Sequence, residues 1–327
     1  MDIPVETDIT TLQSHMLEHE HLQGTHGDAL SWIVSALSAS TKMIASKIRR
    51  ARLIDVLGQA GQHNIQGEAQ QKLDVIANET LLRTLGGRKG VAVVASEENE
   101  QPVIIRDGQS TDARYCVLFD PLDGSSNLDV CGGVGTIFSI LRHTSGDAES
   151  SVLQSGSQQV AAGYVLFGSS TVFILTLGNG VSMFVLDPEV GSYIRVKRKL
   201  IIPQSTKHYS INEGNRLSLP DGYQRYLNWA QQEGYSARYV GSMVADVHRI
   251  LMKGGVFLYP PTEKTPAGKL RLLYEANPMA MLIEQAGGQA WAGPGQRLLD
   301  IEPAAIHERT PVVLGSSGEV ERVLEFL

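Results

Sequence analysis

From Trp32 to Leu57, apolar Ile33, Leu37, Ile44, Ile48 and Ile54 recur at helical spacing, with Lys42, Lys47, Arg49 and Arg50 between them. The pattern predicts one long or two short amphipathic helices, and residues 72–86 read as another. Val91–Ala95 and Tyr115–Phe119 are short unbroken apolar runs, read as buried strands. Past Gly163 the runs Tyr164–Phe167, Val172–Leu177 and Val181–Leu186 predict a β-meander, with Gly178-Asn179-Gly180 as a hairpin turn. The Ser-, Gly- and Asp-rich segment His143–Gln159 reads as a mobile loop. Near residue 200 the strands end and helix–strand alternation resumes, which sets a domain boundary between 1–200 and 201–327. The second part carries predicted helices at Met243–Lys253 and Pro278–Ala286 and strands at Gly255–Tyr259 and Leu270–Tyr274. Asn277 reads as the N-cap of the last helix, Pro278 as its first residue and Gly287-Gly288 as its stop.

Carboxylates follow three of these strands directly. Val91–Ala95 runs into Ser96-Glu97-Glu98, Tyr115–Phe119 into Asp120 and Asp123, and Leu270–Tyr274 into Glu275. Ligands of open α/β sheets bind outside the carboxyl ends of strands. Five clustered carboxylates repel one another unless cations lie between them. The octapeptide Asp120–Asn127 also puts Gly124, Ser125 and Ser126 right behind the acids. Glycine lets backbone amides approach an anion, and small residues suit a helix N-terminus that seats phosphate. Alone, such a run is a polar turn as readily as a site. Its place among three acidic strand ends argues for Mg²⁺, which takes carboxylate and phosphate oxygens. Phosphate monoesters need rate accelerations of up to about 10²¹-fold, whereas general base catalysis supplies about 10²–10⁴. Metal ions that clamp the attacking and leaving oxygens supply much of the rest.

Composition narrows the class. The 327 residues, 42% hydrophobic and 19% charged, are enough for a substantial core in two domains or one layered unit. A formal net charge of −7 argues against nucleic-acid binding through a basic surface. Cys116 and Cys131 form no disulfide framework and read as core residues of a reducing compartment. With no signal peptide and no apolar run of membrane-spanning length, a cytoplasmic protein without membrane partners is expected. His15 and His19 have helical metal-ligand spacing, but nothing nearby completes a ligand set, so they read as surface histidines.

The motifs Lys72-Leu73-Asp74-Val75, Ser96-Glu97-Glu98, Asp120–Asn127, Asn212-Glu213-Gly214, Arg238–Arg249, Gly255–Pro260 and Lys269–Gly288 follow one another over most of the chain. In that order they resemble the class I fructose-1,6-bisphosphatases of the lithium-sensitive, Mg²⁺-dependent sugar phosphatase superfamily. Inositol monophosphatases share the Asp-Pro-Leu-Asp-Gly core but usually continue Thr-Thr-Asn, so Ser125-Ser126 favours the bisphosphatase branch. The resemblance implies an α/β fold, layered α-β-α-β-α with mixed sheets. It implies Mg²⁺-dependent hydrolysis of fructose 1,6-bisphosphate to fructose 6-phosphate, in gluconeogenesis or the Calvin cycle, with Mn²⁺ or Zn²⁺ as substitute metals and a homotetramer. Glu97, Asp120, Asp123, Glu275 and the Leu122 carbonyl would be metal ligands, with Glu68 where animal members carry Asp. Asp74 and Glu98 would activate the attacking water. Gly124, Ser125 and Ser126 would hold the 1-phosphate; Asn212, Tyr239, Tyr259 and Lys269 would hold the 6-phosphate. Without the resemblance, those tyrosines read as core or edge aromatics, and Lys269 and Arg271 as an ordinary solvated face. Arg238 would reach in from a neighbouring subunit, and Arg271 would support the site. Where many animal enzymes carry an aromatic, this chain has Asn215. Gly24, Thr25, Arg114, Tyr115 and Arg142 resemble parts of the AMP site of the animal enzymes, although His26–Ala29 departs from it. The cysteine-bearing insertion of the chloroplast enzyme is absent. A sedoheptulose-1,7-bisphosphatase, or one enzyme serving both sugars, is the nearest rival. A non-catalytic sugar-phosphate sensor is the rival from another class.

Overall fold

The computed structural model of the chain describes residues 9–23, 29–63, 69–106, 114–144 and 147–327. Its larger sheet has eight strands, ordered Ser192–Leu200, Val181–Asp187, Thr171–Thr176, Gln159–Phe167, Val134–Arg142, Tyr115–Asp123, Val91–Ser96 and Val103–Ile104. Neighbours are antiparallel except Val91–Ser96 and Tyr115–Asp123, which run parallel. The smaller sheet is also mixed, ordered Ser236–Ala237, His208–Ser210, Val256–Tyr259, Val312–Gly315, Gln289–Gly293 and Gln296–Arg297.

Strand alternation assigns the faces of the larger sheet. In Val134–Arg142, Val134, Phe138 and Ile140 join a core with the helices Leu12–Gln23, Ala29–Arg49 and Lys72–Gly86. Ile137 faces the other way, into a core with Met243–Lys253 and Asn277–Gln285. Those two helices meet Phe257, Ala290, Val312 and Leu314 of the smaller sheet. Its far face, with Val256, Leu258 and Val313, is covered by Asp221–Gln232 and Ser317–Leu324. The result is five layers, α-β-α-β-α, and the middle one fuses both parts of the chain in a single core. Among the described residues, no helix is long and apolar enough to cross a membrane.

Several local expectations change. The amphipathic stretch through Leu57 is helical only to Arg49, followed by turns. Leu53 is 82% exposed, while Ala51, Val56 and Leu57 still pack on the core from the turns, so the burial there does not follow one helical stripe. Within the expected loop 143–159, residues 147–159 are more ordered than their composition suggests. Asp147 caps the helix Ala148–Val152, its Oδ1 accepting from Ser150 N at 2.7 Å, and Val152 is buried against Leu118 and Leu141. Beyond Arg271 the expected strand is absent. Leu270–Arg271 pairs briefly with Arg309–Thr310, and Leu272–Ala276 then forms a buried π-helical turn running straight into Asn277–Gln285. Asn277 therefore lies within continuous helix and caps nothing. Cys116 is core, but Cys131 is exposed, closing a surface turn in left-handed conformation at φ 57. His15 is not an open surface histidine. It packs edge-on against Phe184 and accepts from Arg195 Nη1 at 3.3 Å, and burial and the Arg195 charge lower its pKa to about 4.

Packing in the larger sheet leaves no room for a side chain at Gly163, where an added Cβ would lie 2.4 Å from Phe138 Cζ and 2.5 Å from the Ile174 carbonyl oxygen. Gly163→Ala should cost about 1–3 kcal/mol of stability in urea unfolding. Gly293→Ala, which would meet nothing within 4 Å, should cost far less. Equal losses would show that the Phe138 contact does not limit this sheet.

Candidate active site

The strand Tyr115–Asp123 continues past its apolar run, so Asp120 and Asp123 lie in its last four residues and are buried. Leu122 N donates to Asp120 Oδ1 at 2.9 Å. Asp123 receives three bonds from the start of the helix Met243–Lys253: Ser242 Oγ at 2.7 Å, Val244 N at 2.8 Å and Met243 N at 3.2 Å. A helix N-terminus is a natural seat for such an anion. The π-helical turn delivers Glu275, whose Oε2 accepts from Arg271 N at 2.6 Å. Ligand oxygens of Asp120, Asp123 and Glu275 all lie within 4.8 Å of one another. Glu97 stands beside them, paired with Arg271 Nη2 at 3.3 Å. Arg271 is only 1% exposed, so it is no solvated strand residue; its guanidinium is buried against the acids.

Across the same cleft, Asp74 comes from the first turn of Lys72–Gly86. Its Oδ2 accepts from Gln71 N at 2.7 Å and Ser125 Oγ at 3.2 Å, while its buried Oδ1 has no hydrogen-bond partner among the described residues. Gly124 takes φ 73 and heads the 3₁₀ turn Ser125–Val130, so the expected helix N-terminus is a tighter turn. A Cβ on Gly124 would fall 2.4 Å from Ser242 Cβ. Both the left-handed backbone and this approach require glycine there.

A cleft of about 300 Å³ joins these groups. Asp74, Glu97, Glu98, Asp120, Leu122, Asp123, Gly124, Ser125, Ser126, Tyr239, Tyr259, Lys269, Arg271 and Glu275 all line it. Asn212 and Arg238 do not. Asn212 caps the 3₁₀ turn Glu213–Ser218 by accepting from Gly214 N at 3.0 Å, and Arg238 is exposed beyond the small sheet's edge. Arg114, Tyr115 and Arg142 come together at the far end of the paired strands, with the Arg142 guanidinium 5.6 Å from the ring centre of buried Tyr115. Gly24, Thr25 and Glu68 lie outside the described residues.

Two contributors escape the sequence reading. Ser242 holds Asp123, and Asp246 accepts from Val240 N and Gly241 N, both at 2.9 Å, fixing the loop next to Tyr239. A serine just before the amphipathic run 243–253 is an N-cap signal; its bond to an acid 119 positions away has no local trace.

Burial dominates the electrostatics. It lifts the Asp120 and Glu275 carboxyls well above the usual range, with Glu97 and other acids adding to the shift. Burial also lifts Asp123, despite three hydrogen bonds that favour its charged form. Asp74 is raised to about 7, first by burial, then by the Glu98 charge. An all-oxygen set of convergent, desolvated carboxylates fits hard divalent cations, which Glu97, Asp120, Asp123 and Glu275 would hold.

Residues 10–198 match the family "Fructose-1-6-bisphosphatase, N-terminal domain" and residues 202–327 its C-terminal domain. The class 1 fructose-1,6-bisphosphatase of Persephonella marina is 49% identical over 317 residues, covering 97% of this chain and 98% of that protein. That of Chlorobium luteolum is 45% identical over 328 residues, covering 97% and 98%. The crystal structure of Leishmania major fructose-1,6-bisphosphatase in holo form superposes with a TM-score of 0.92 at 38% identity, covering 98% of this chain and 99% of that one. Matched in both halves, in fold and nearly end to end, the chain belongs to the class 1 fructose-1,6-bisphosphatase family.

Proposed function

We propose that the chain removes the 1-phosphate of fructose 1,6-bisphosphate by water attack, leaving fructose 6-phosphate and inorganic phosphate. The observation that carries this reading is one cleft with buried carboxylates and a glycine-led turn on one side, and Lys269, Tyr239 and Tyr259 on the other. Mg²⁺ held by the carboxylates would offset phosphate charge and make bound water more acidic. Asp74 and Glu98 take up the proton of the attacking water, a role suited to the Asp74 value of about 7. The amides of Gly124, Ser125 and Ser126 hold the 1-phosphate, and Lys269 and the two tyrosines hold the 6-phosphate. Arg271 lines the cleft and supports the site through Glu97, at 3.3 Å. Residues 1–200 thus supply most of the acids, and 201–327 supply Glu275 and the sugar-phosphate contacts. Exposed Arg238, outside the cleft, suits a side chain given to a neighbouring copy in a homotetramer. Exposed Arg114 and Arg142 at adjacent strand ends support an anionic effector such as AMP.

Phosphate release from fructose 1,6-bisphosphate with Mg²⁺, with EDTA and with added AMP tests the reading. Mg²⁺-dependent release is expected, and no release with any divalent metal would overturn it. Suppression by AMP would support the effector site; indifference to AMP would remove it. A higher kcat/KM for sedoheptulose 1,7-bisphosphate would favour the rival enzyme. A sensor would have lost an acid, yet Asp74, Glu97, Glu98, Asp120, Asp123 and Glu275 are all present.

Glu98→Gln should lower kcat by about 10²–10⁴-fold with fold and metal binding retained; an unchanged kcat would remove Glu98 from the pair. Lys269→Ala should raise KM for the bisphosphate more than for simple phosphate esters, and equal effects would refute its 6-phosphate role. Acids raised in the folded state bind protons that the unfolded chain has released. In metal-free protein the Asp74 contribution is therefore complete below the ordinary value of 3.8 and is lost as pH climbs through about 7. Mg²⁺ favours the ionised carboxylates, so its gain in Tm should be larger at about pH 8 than at about pH 5. A gain independent of pH would place the metal elsewhere.

A further inference from the structure

Asn78 lies four residues after Asp74 on the helix Lys72–Gly86, so both side chains project from one face. Its amide bonds twice to the loop that carries Glu98. Ser96 Oγ donates to Asn78 Oδ1 at 2.8 Å, and Asn78 Nδ2 donates to Asn99 Oδ1 at 2.8 Å. Ser96 Oγ also accepts from Glu98 N at 3.3 Å. The hydroxyl therefore uses its donor on the helix and a lone pair on the Glu98 backbone.

The rest of the loop is tied to other layers. Glu97 N donates to the Phe119 carbonyl at 3.1 Å, Asn99 N to the Ser96 carbonyl at 3.2 Å, and His307 Nε2 to the Asn99 carbonyl at 3.0 Å. The first and last of these bonds set the loop against the sheet and the C-terminal part, and the second closes the loop on itself. The Asn78 amide bonds set it against the helix that carries Asp74. A carboxamide suits this link because it offers a donor and an acceptor in one rigid plane, one for each loop side chain.

We propose that Asn78 is a positioning residue for water activation, fixing Glu98 relative to Asp74 through its paired bonds to Ser96 and Asn99. The inference rests on the reading of Asp74 and Glu98 as the proton-accepting pair. Without the amide, the helix and the loop keep their separate anchors but lose their common reference. The two carboxylates then sample separations at which they cannot share one water, while Glu97 on the same loop keeps its own anchors, the Phe119 carbonyl and Arg271. A misplacement of about 1 Å costs on the order of 10²-fold in rate.

The test is steady-state kinetics on the Mg²⁺-loaded enzyme, together with amide hydrogen exchange on the metal-free protein. Asn78→Ala should lower kcat by about 10- to 100-fold, a larger change than in KM for the bisphosphate or in the Mg²⁺ activation constant. Asn99→Ala should act in the same direction, and the double variant should be no worse than Asn78→Ala, because both remove one link. The Glu98 amide should exchange faster in Asn78→Ala while the Met243 and Val244 amides on Asp123 keep their protection. Glu79→Ala, an exposed change on the same helix, should leave all readouts at wild-type values. If Asn78→Ala does not fold, Asn99→Ala reads the same link from the loop side. A kcat that holds in both variants, a joint change of kcat and KM that follows Tm, or additive losses in the double variant would overturn the proposal. An unchanged kcat in Glu98→Gln would instead remove the pair on which it rests. A fall there with wild-type kcat in Asn78→Ala would overturn the positioning role alone.

Discussion

The constraint on which the structure depends is the burial of several carboxylates at one point. Asp120, Asp123, Glu275 and Asp74 are each less than a tenth exposed, and three of them converge within 4.8 Å. Taking a carboxylate out of water costs several kcal/mol even after relaxation, and like charges add to that cost. The fold aims backbone donors at each acid of the cluster: the start of Met243–Lys253 at Asp123, Leu122 N at Asp120, and Arg271 N at Glu275. These bonds fix orientation, but burial still outweighs them and the carboxyls stay raised. Cations complete such a site. The middle helical layer follows from the same need, because Asp123 and the amides that hold it come from opposite parts of the chain.

Segments with strong periodicity were legible from the sequence. The helices 72–86 and 243–253 and the meander strands fall where apolar spacing predicts them, because each buries one stripe or face against a neighbour. Leu270–Tyr274 was misread for a physical reason. Arg271 between Leu270 and Leu272 reads as the polar face of a strand, and nothing local shows that its side chain is buried or that the backbone turns π-helical at Leu272. That turn still delivers Glu275 to the cluster, which is why the acid was identified despite the wrong element. Asn277 looked like an N-cap because the sequence cannot reveal that helical backbone already precedes it. Residues 147–159 look loose in sequence because what orders them is tertiary: buried Val152 and the small polar Ser151, Ser155 and Gln159, which carry no apolar pattern.

Glu97, Glu98, Asp120, Asp123 and Glu275 are legible in the sequence because they follow apolar runs directly, whereas Asp74, in the first turn of a helix, enters only with the family resemblance. The supports of these acids are not legible. Ser242 reaches Asp123 across 119 positions, and Asn78 reaches Ser96 and Asn99 across 18 and 21. Tertiary bonds of this kind leave no local pattern, although each uses a residue type that binds backbone or hydroxyl groups readily. Gly124 links the two kinds of information. Its identity shows in the sequence, but its necessity lies in φ 73 and in the Ser242 side chain 2.4 Å from where a Cβ would stand.

Calorimetric titration of the metal-free protein with Mg²⁺, in buffers of different ionisation enthalpy, tests the claim that the buried acids are built to hold cations. Near neutral pH the wild type should bind with release of protons, because raised carboxyls must ionise to become ligands. Asp123→Asn and Glu275→Gln should lose most of the affinity and part of the proton release. Binding without proton release, or binding equally tight in both variants, would contradict the account.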